Sequence, residues 1–324
     1  MALKVLVTDY QWPNLDIENE ILGEIDVELV VAPNGEQETL EELARGCAGI
    51  MTCWAQTSRK VIEAALPDLK VIARYGIGLD NIDVKFATEA GVSVTYVPTY
   101  CVVEVAEHTL SYILTLARKI SLFNRRTREG VWDLQEGMPI RRLQGKRLGL
   151  IGFGNIGREV AKRAQAFGME IGVCDPILTE ELAREAGVQS LEMDELLETS
   201  DFVCLHVPLI PATDGLIGAA ELKRMKATAF LINTARGGLI DEEALYDALT
   251  QGEIAGAGLD VRRQEPPDSA DHLLQLDQVL HSPHAAFYST ESLEELQRQT
   301  AWEIRRVLTG QDPSNLVNPD YRSS

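Results

Sequence analysis

Residues 148–160 read LGLIGFGNIGREV, an apolar run that leads into a glycine-rich turn and continues as a helix-like stretch. Gly152, Gly154 and Gly157 follow directly after a predicted strand and open the predicted helix 155–167. Glycines at this spacing permit a tight turn, let the backbone approach a pyrophosphate and allow the helix to pack closely on the strand. Because the first amides of the helix then face the anion, no basic side chain is required. The stretch therefore predicts the phosphate-binding turn of a dinucleotide-binding domain.

The strand that follows predicts which dinucleotide is bound. It ends at Asp175, eighteen residues after Gly157, where a carboxylate can accept a hydrogen bond from a ribose 2′-hydroxyl and repel a 2′-phosphate. The next residues, Pro176, Ile177 and Leu178, carry no cation for such a phosphate. The sequence thus predicts NAD rather than NADP. The alternative is an ordinary structural turn followed by a capping aspartate.

On both sides of this stretch, strand-like and helix-like segments alternate, which is typical of parallel α/β sheets. In the first hundred residues the strand-like runs are 4–9, 27–32, 48–53 and 70–75. Later runs are 147–151, 170–175, 202–207, 229–234 and 254–261. A chain of 324 residues exceeds the usual single domain of about 100–200 residues. The predicted fold class is therefore α/β, with two Rossmann-like or flavodoxin-like doubly wound domains.

Three segments fall outside the alternation of short strands and helices. Residues 102–128 form the longest helical pattern, contain no Gly or Pro and become basic at their end, which predicts one long helix. Residues 129–146 are less regular and predict a connecting arm. Residues 289–310 have the pattern of a strong amphipathic helix.

Composition excludes several classes of function. Asp plus Glu outnumber Lys plus Arg by 50 to 30, so the formal charge is −20, and this field would repel the phosphates of a nucleic acid. No run approaches the roughly 18 apolar residues of a membrane helix, and the start MALKVLVTDY lacks the long apolar region of a signal peptide. We therefore expect a cytoplasmic protein with no nucleic-acid or membrane partner. The five cysteines form no CxxC pair, and no metal site is predicted.

Polar side chains follow three predicted strand ends in the half of the chain that holds the glycine stretch. Arg236 follows the strand 229–234, Asp260 ends the next strand with Glu265 five residues later, and His284 follows a proline. Ligands of doubly wound sheets lie beyond the carboxyl ends of the strands. Taken singly, each residue is more often a surface arginine, a loop glutamate or a histidine that bonds the backbone. Their joint placement favours a reactive site.

These residue types suit the reduction of a 2-keto acid. The planar fork of Arg236 can bind a carboxylate or a carbonyl, and His284 can supply or accept a proton near neutral pH. A hydrogen bond between Glu265 and the imidazole would fix its tautomer and favour its protonated form. The cofactor would supply the hydride, and the protein would orient it.

Several motifs together resemble the D-isomer-specific 2-hydroxyacid dehydrogenases. They are GFGNIG with Asp175, NTARGGLID, GLDV followed by EPP, SPHAA, RYGIGLDNID and VPTYCVVEVAEHTL, and they cover almost the whole chain. The stretches YCVVEVAEHTL and PHAAFYSTESLEELQRQTAWEIRRVLTG are most similar to the subgroup that includes the C-terminal-binding proteins, which are NAD(H)-binding corepressors. The resemblance implies an NAD-dependent oxidoreductase (EC 1.1.1.-) that interconverts a small 2-keto acid and its D-2-hydroxy acid.

The resemblance also implies a role for each matched position. Arg236 would bind the substrate carboxylate or carbonyl, and Glu265 and His284 would form the acid/base pair. The positions matched to cofactor contacts are Gly152, Gly154, Asn155, Ile156, Gly157, Asp175, His206, Val207, Pro208, Thr213, Thr234, Ala235, Arg236, Asp260, His284 and Ala286. The positions matched to substrate contacts are Arg74, Tyr75, Gly76, Ile77, Gly78, Arg236 and His284. Candidates for the pocket wall are Trp54, Tyr100 and Phe287.

In this family the nucleotide domain is inserted into the substrate domain. The resemblance therefore implies an NAD-binding domain over 102–288 and a substrate domain made of 1–101 and 289–324, with a cleft that closes for catalysis. It also implies a homodimer, built largely from the nucleotide domain and the arm after the first long helix, with Trp132 near the contact.

Two positions depart from the family pattern. Arg262 and Arg263 stand where relatives often have an aromatic or small residue, and Phe287 stands where animal C-terminal-binding proteins have tryptophan. The alternatives are an NAD(H)-sensing, corepressor-like binding protein and a phosphoglycerate dehydrogenase. Formate dehydrogenases fit poorly, because that branch pairs its histidine with Gln where this chain has Glu265. The acid stays open among glyoxylate, hydroxypyruvate, phosphohydroxypyruvate and branched or thioether keto acids.

Overall fold

A computed structural model describes residues 2–323 and divides the chain into two units. Unit 1 contains the residues up to Tyr100 and those from Ser289 onward, and unit 2 runs from Cys101 to Tyr288. Each unit is built around one parallel sheet. The predicted class, α/β with two doubly wound sheets, is confirmed.

The first part of unit 1 alternates strands and helices. The elements are β1 (Leu3–Val7), α1 (Asp16–Gly23), β2 (Val27–Val31), α2 (Gln37–Ala44), β3 (Cys47–Thr52), α3 (Arg59–Ala65), β4 (Val71–Arg74), α4 (Val84–Glu89) and β5 (Ser93–Thr95). The strand order is β2-β1-β3-β4-β5, and all pairs are parallel. Because β1, β3 and β4 are neighbours in one parallel sheet, their carboxyl ends meet at one edge.

Unit 2 begins with α5 (Val102–Arg118) and α6 (Ile120–Arg128), followed by a 3-10 turn at Gln135–Gly137. The prediction of one helix over 102–128 is wrong. Lys119 has φ 55° and breaks the pattern into two helices. A left-handed residue at this point closes α5 with backbone bonds from Lys119 to the carbonyls of Leu116 and Thr115.

The sheet of unit 2 has seven parallel strands. Its elements are β6 (Arg147–Ile151), α7 (Asn155–Ala166), β7 (Glu170–Cys174), α8 (Glu180–Ala186), β8 (Gln189–Ser190), α9 (Met193–Thr199), β9 (Phe202–Leu205), α10 (Ala219–Arg224), β10 (Phe230–Asn233), α11 (Glu242–Gln251), β11 (Gly256–Leu259) and β12 (Val279–His281). The order is β12-β11-β10-β9-β6-β7-β8. The order reverses beside β6, which is the position where doubly wound sheets bind ligands.

Apolar clusters cover both faces of this sheet. Along β10, Leu231 belongs to one cluster and Ile232 to the other, because successive side chains of a strand point to opposite faces. The buried face of α5, including Leu110, Ile113 and Leu116, packs in the second cluster.

Unit 1 is completed by α12 (Thr290–Leu308) and a 3-10 turn at Pro319–Ser323. The helix starts at a capping box in which Ser289 and Ser292 exchange side-chain-to-amide hydrogen bonds. Its buried face packs on α1, β3 and β4. None of the helices formed by residues 2–323 has the length and apolar character that crossing a bilayer requires.

Candidate active site

The glycine stretch forms the turn between β6 and α7 as predicted. Gly152 has φ 99°, and a Cβ there would lie 2.5 Å from the carbonyl oxygen of His206. A Cβ at Gly157 would lie 2.5 Å from the carbonyl oxygen of Gly152, so the helix can pack this closely only with glycine. At Gly154 a Cβ would meet nothing within 4 Å, which leaves open space over the turn. This space, at the first turn of a twelve-residue helix, fits the pyrophosphate of a dinucleotide.

Asp175 lies directly after β7 and is held by the backbone. Its Oδ2 accepts a hydrogen bond from the amide of Phe153 at 2.6 Å, and its Oδ1 accepts one from the amide of Ile177 at 2.9 Å. Each carboxylate oxygen has a second lone pair that can accept a hydroxyl. The half-exposed carboxylate is therefore fixed beside the glycine turn and can still bind a ribose hydroxyl.

The segment after β9 begins with His206, whose amide bonds the carbonyl of Ile151 at 2.8 Å. Burial lowers the pKa of His206 to about 4, so its ring is neutral at physiological pH. Further along, the hydroxyl of Thr213 donates to the carbonyl of Pro208 at 2.6 Å and accepts from the amide of Ile210 at 2.9 Å. These bonds fold the segment back on itself beyond the strand end.

The segment after β10 is organised by Asn233, a residue that the sequence did not single out. Its side chain donates to the carbonyl of Arg236 at 2.8 Å and accepts from the amide of Ala235 at 3.0 Å. The hydroxyl of Thr234 lies 3.0 Å from that of Thr109 on α5. Nη1 of Arg236 donates to the carbonyl of Ala235 at 2.8 Å, and the guanidinium is half-buried. The backbone of this arginine is therefore fixed at the strand end.

Asp260, after β11, is buried and holds the segment that contains His284. Its carboxylate accepts from the amides of Ala285 at 2.8 Å and Ala286 at 2.9 Å, and from the hydroxyl of Ser282. Its carbonyl accepts from the amide of His284 at 2.8 Å. The histidine sits in the left-handed region with φ 53°, a conformation that a non-glycine residue adopts at a cost. The hydrogen bonds to Asp260 stabilise this conformation of His284.

His284 and Glu265 form a close pair. Nδ1 of the imidazole lies 2.7 Å from Oε2 of Glu265, while Oε1 accepts from the amide of Arg262 at 2.9 Å. Burial alone would raise the pKa of Glu265, but the hydrogen bond and charge of His284, together with the Arg262 amide and the charge of Arg236, hold it below its ordinary value. The carboxylate therefore stays ionised at neutral pH and can orient an imidazolium.

Arg262, one of the two departures from the family pattern, has a structural explanation. Its side chain is buried and pairs with Glu242 at 3.0 Å and Asp271 at 2.5 Å. These ion pairs hold the segment in which the Arg262 amide donates a hydrogen bond to Glu265. Arg263 is more exposed and bonds Asp214 at 2.9 Å and the carbonyl of Gly238 at 3.0 Å.

Sequence reasoning missed a set of side chains that surround Asp260. Nε2 of His108 lies 2.9 Å from the hydroxyl of Ser282 and 3.7 Å from the Asp260 carboxylate. The phenol of Tyr112 lies 2.5 Å from the same hydroxyl. His108 and Tyr112 are four residues apart on α5 and so share one face of the helix. The four-residue spacing in EHTLSY predicts that the two side chains share a helix face. It gives no indication of their partner Ser282, which lies 170 or more residues away along the chain.

The predicted substrate loop of unit 1, residues 75–78, is arranged around Arg74. This buried arginine donates from Nε to the carbonyl of Gly78 at 2.9 Å and from Nη1 to the carbonyl of Tyr75. The amides of Tyr75 and Gly76 bond the carbonyls of Thr52 and Arg74. Within residues 2–323, the amides of Ile77 and Gly78 have no protein acceptor, so they are the two groups of the loop that can bind an anion.

The predicted residues thus fall into two sets. The residues predicted to contact the cofactor and to act as acid and base belong to unit 2, and the loop 74–78 belongs to unit 1. Of the three candidates for the pocket wall, Trp54 and Tyr100 belong to unit 1, while the Phe287 ring lies 6.3 Å from the His284 ring in unit 2. Among the described residues, no group of three or more His, Cys, Asp or Glu side chains is arranged to hold a metal ion.

Comparison with known proteins agrees with the geometry of unit 2. Residues 110–286 match the family described as D-isomer specific 2-hydroxyacid dehydrogenase, NAD binding domain. A D-3-phosphoglycerate dehydrogenase from Methanocaldococcus jannaschii is 40% identical over 98% of this chain, but the match spans only 59% of that relative's length. A glyoxylate reductase from Korarchaeum cryptofilum is 39% identical over 92% of this chain and 90% of its own.

A solved structure extends the similarity to the whole fold. A D-lactate dehydrogenase from Aquifex aeolicus, complexed with NAD and lactic acid, has a TM-score of 0.88 and 29% sequence identity, over 97% of this chain and 98% of its own. Its structure was solved with NAD bound, which agrees with the open turn at Gly154.

Proposed function

This chain belongs to the D-isomer-specific 2-hydroxyacid dehydrogenases, and from that premise we propose that it interconverts a small 2-keto acid and its D-2-hydroxy acid with NAD(H). The observation that carries the proposal is the His284–Glu265 pair, with 2.7 Å between Nδ1 and Oε2. It belongs to the same unit as Arg236 and the glycine turn. Membership of the similar C-terminal-binding-protein subgroup stays a prediction.

His284 is proposed as the acid in the direction of reduction. Because Glu265 engages Nδ1, the proton passes to the carbonyl oxygen from Nε2. The ionised Glu265 stabilises the imidazolium before the transfer and holds the tautomer afterwards. In the reverse direction the neutral imidazole accepts the hydroxyl proton.

Arg236 is proposed to bind the carboxylate and carbonyl of the acid through its planar fork. The Asn233 side chain fixes the backbone that presents this arginine. In unit 1, the amides of Ile77 and Gly78 are proposed to donate hydrogen bonds to the substrate carboxylate. We assign Arg74 to holding the loop, because its guanidinium already binds two loop carbonyls.

NAD(H), when bound, supplies or accepts the hydride. The first amides of α7 would hold its pyrophosphate, and Asp175 would bind a ribose. The other residues predicted to contact the cofactor lie in the segments after β9, β10 and β11. These strands are parallel neighbours, so the segments lie at one edge of the sheet. A neutral, half-buried His206 adds no charge beside this cofactor.

The proposal is tested by NADH oxidation with purified protein. We expect a fall in absorbance at the nicotinamide band with at least one of glyoxylate, hydroxypyruvate, phosphohydroxypyruvate and a branched 2-keto acid, and formation of the D-hydroxy acid. Failure with every acid, together with tight NADH binding, would favour the second candidate, a corepressor-like sensor of NAD(H). The similarity to a phosphoglycerate dehydrogenase keeps the phosphorylated acid in the panel.

Asp175→Asn is expected to lower the preference for NADH over NADPH by about 10- to 100-fold, because a hydrogen bond to a charged group contributes about 1.5–3 kcal/mol. Asparagine removes the charge that repels a 2′-phosphate. The measurement is the ratio of kcat/KM for the two cofactors. Asp277→Asn, which changes an exposed carboxylate paired with Arg125, is the matched control. Equal use of both cofactors by the unchanged protein would contradict the role of Asp175.

Glu265→Gln is expected to lower kcat for reduction by roughly 10- to 100-fold, because a hydrogen bond to a charged group contributes about 1.5–3 kcal/mol. Glutamine can keep a contact with Nδ1 of His284, which lies 2.7 Å from Oε2 of Glu265, but it removes the negative charge beside the ring. The measurements are kcat and KM for the acid and Kd for NADH. A loss of NADH affinity as large as the loss of kcat would indicate a purely structural role.

A homodimer is proposed through the arm that follows α6. Trp132, Leu134 and Met138 are 91%, 71% and 65% exposed and lie close together in the sequence. Clustered exposed apolar side chains mark protein–protein contacts. Light scattering of the purified protein should give twice the 35.8 kDa of one chain. The cytoplasmic location stays a prediction.

A further inference from the structure

The segment that carries His284 is joined to α5 through one hydroxyl group. Ser282 lies two residues before His284, and its Oγ donates a hydrogen bond to Oδ1 of the buried Asp260. The same oxygen lies 2.5 Å from the phenol oxygen of Tyr112 and 2.9 Å from Nε2 of His108, both on α5. Ser282 is therefore the point at which side chains of α5 reach the segment of the proposed acid.

The direction of each hydrogen bond in this cluster follows from the donors available. A carboxylate only accepts, so the single hydrogen of the Ser282 hydroxyl goes to Asp260. The two lone pairs of Ser282 then accept from the Tyr112 phenol and from His108, which places a hydrogen on Nε2 of the imidazole. Burial raises the pKa of Tyr112, so the phenol keeps its proton and stays a donor. The Ser282 hydroxyl is thus fully hydrogen-bonded in one orientation.

The ring of Tyr112 packs where the neighbouring strand leaves room for it. A Cβ at Gly258 of β11 would lie 2.8 Å from Cγ of Tyr112, so the ring fits only against a residue without a Cβ. The rings of Tyr112 and His108 pack edge-on, with 4.9 Å between their centres. Because Tyr112 is 7% exposed and is held on both sides, its hydroxyl is presented at a fixed position.

The effect on His284 passes through both oxygens of Asp260. Oδ1 accepts from the amide of Ala285 at 2.8 Å, and Oδ2 accepts from the amide of Ala286 at 2.9 Å. A rotation of the carboxylate would break these bonds, and the Ser282 hydroxyl on Oδ1 opposes that rotation. The left-handed backbone of His284, with φ 53°, depends on such support from its surroundings.

Building on the proposed function, we propose that Tyr112 and Ser282 are positioning residues for the acid His284. The phenol holds the serine hydroxyl, the hydroxyl holds the Asp260 carboxylate, and the carboxylate holds the backbone on which His284 stands. The imidazole is thereby kept against Glu265, with 2.7 Å between Nδ1 and Oε2, and its Nε2 stays aligned for proton transfer. Both positioning residues act on the reaction through Asp260.

The test is kcat for reduction of the acid that the panel shows to be the best substrate, measured together with its KM and with Kd for NADH. Tyr112→Phe should lower kcat by roughly two- to tenfold, which is the usual contribution of one neutral hydrogen bond. Ser282→Ala should lower kcat by roughly ten- to a hundredfold, because a misplacement of about 1 Å can cost that much. KM and Kd should change much less than kcat in both variants.

A double substitution shows whether the phenol acts through the serine hydroxyl. In the Ser282→Ala protein, adding Tyr112→Phe should cause no further loss of kcat. Ser282→Thr keeps a hydroxyl and should restore most of kcat, which guards against a folding defect in the alanine variant. Tyr246→Phe, at a half-buried tyrosine of α11, is the matched control and should leave kcat unchanged.

Losses of kcat that add in the double variant would overturn the inference, because Tyr112 would then act without Ser282. An unchanged kcat in both single variants, or a rise in KM and Kd as large as the fall in kcat, would also overturn it. Each of these results leaves the proposed function intact, since the unchanged protein still reduces the acid. Absence of NADH oxidation by the unchanged protein with every acid would contradict both the inference and the proposed function.

Discussion

Replacing His284 with glutamine is expected to lower kcat for keto-acid reduction by roughly 10²- to 10⁴-fold, which is the usual contribution of a positioned acid or base. Glutamine is close in size and can donate an amide hydrogen to Glu265, but it has no proton to release near neutral pH. NADH affinity should change little, because the cofactor is proposed to be held by the glycine turn and Asp175. Steady-state turnover and quenching of protein fluorescence by NADH measure the two quantities separately.

His272→Gln is the matched control for this substitution. His272 is exposed, lies in the 3-10 turn His272–Gln275 and contacts the ring of Tyr246. It should leave both kcat and NADH affinity unchanged. A His284→Gln protein that keeps nearly normal turnover on an accepted acid would refute the assignment of the acid. If NADH binding were lost together with turnover, the segment held by Asp260 would have been disturbed instead.

Replacing Arg236 with alanine is expected to lower kcat/KM for the keto acid by roughly 30- to 5,000-fold, because removing one partner of a hydrogen-bonded charge pair costs about 2–5 kcal/mol. Arg236→Lys should recover only part of this loss, since a point charge cannot reproduce the planar fork. In both variants the change in kcat/KM for the acid should exceed the change in Kd for NADH. The measurements are kcat and KM for the acid and Kd for NADH.

Arg224→Ala serves as the control for the arginine variants. Its guanidinium is exposed on α10 and pairs with Asp194 at 2.9 Å, so its loss should leave the kinetics unchanged. Added guanidinium ion should raise the activity of the Arg236→Ala protein if the vacated position binds the acid directly. Kinetics of Arg236→Lys equal to those of the unchanged protein would remove this residue from the site.

The proposed reactive residues could be selected from the sequence because they follow strands. In a parallel sheet, the residues that come directly after neighbouring strands must share an edge, so Arg236, Asp260 and the segment of His284 are brought together by topology alone. Asp175 was predictable for the same reason. The family resemblance then gave these positions their chemical roles.

Errors arose where the local pattern carries no signal, or where a residue acts through a distant partner. The pattern 102–128 contains no helix breaker, and nothing in it marks Lys119 as left-handed. From the sequence, Arg262 is only a departure from the family pattern. In the structure it is buried and pairs with Glu242, which is 20 residues away along the chain. Asp260 was assigned only to the cofactor, although its carboxylate binds the amides of Ala285 and Ala286.

The sequence by itself determined the α/β class, the dinucleotide turn and the family, because glycine spacing and strand periodicity are local properties of the chain. The tertiary structure decided how each charged side chain is used. Arg74 holds the carbonyls of its own loop, and Glu265 stays ionised beside His284. Both outcomes depend on which donors and acceptors the folded chain brings within about 3 Å, and on how far they are removed from water.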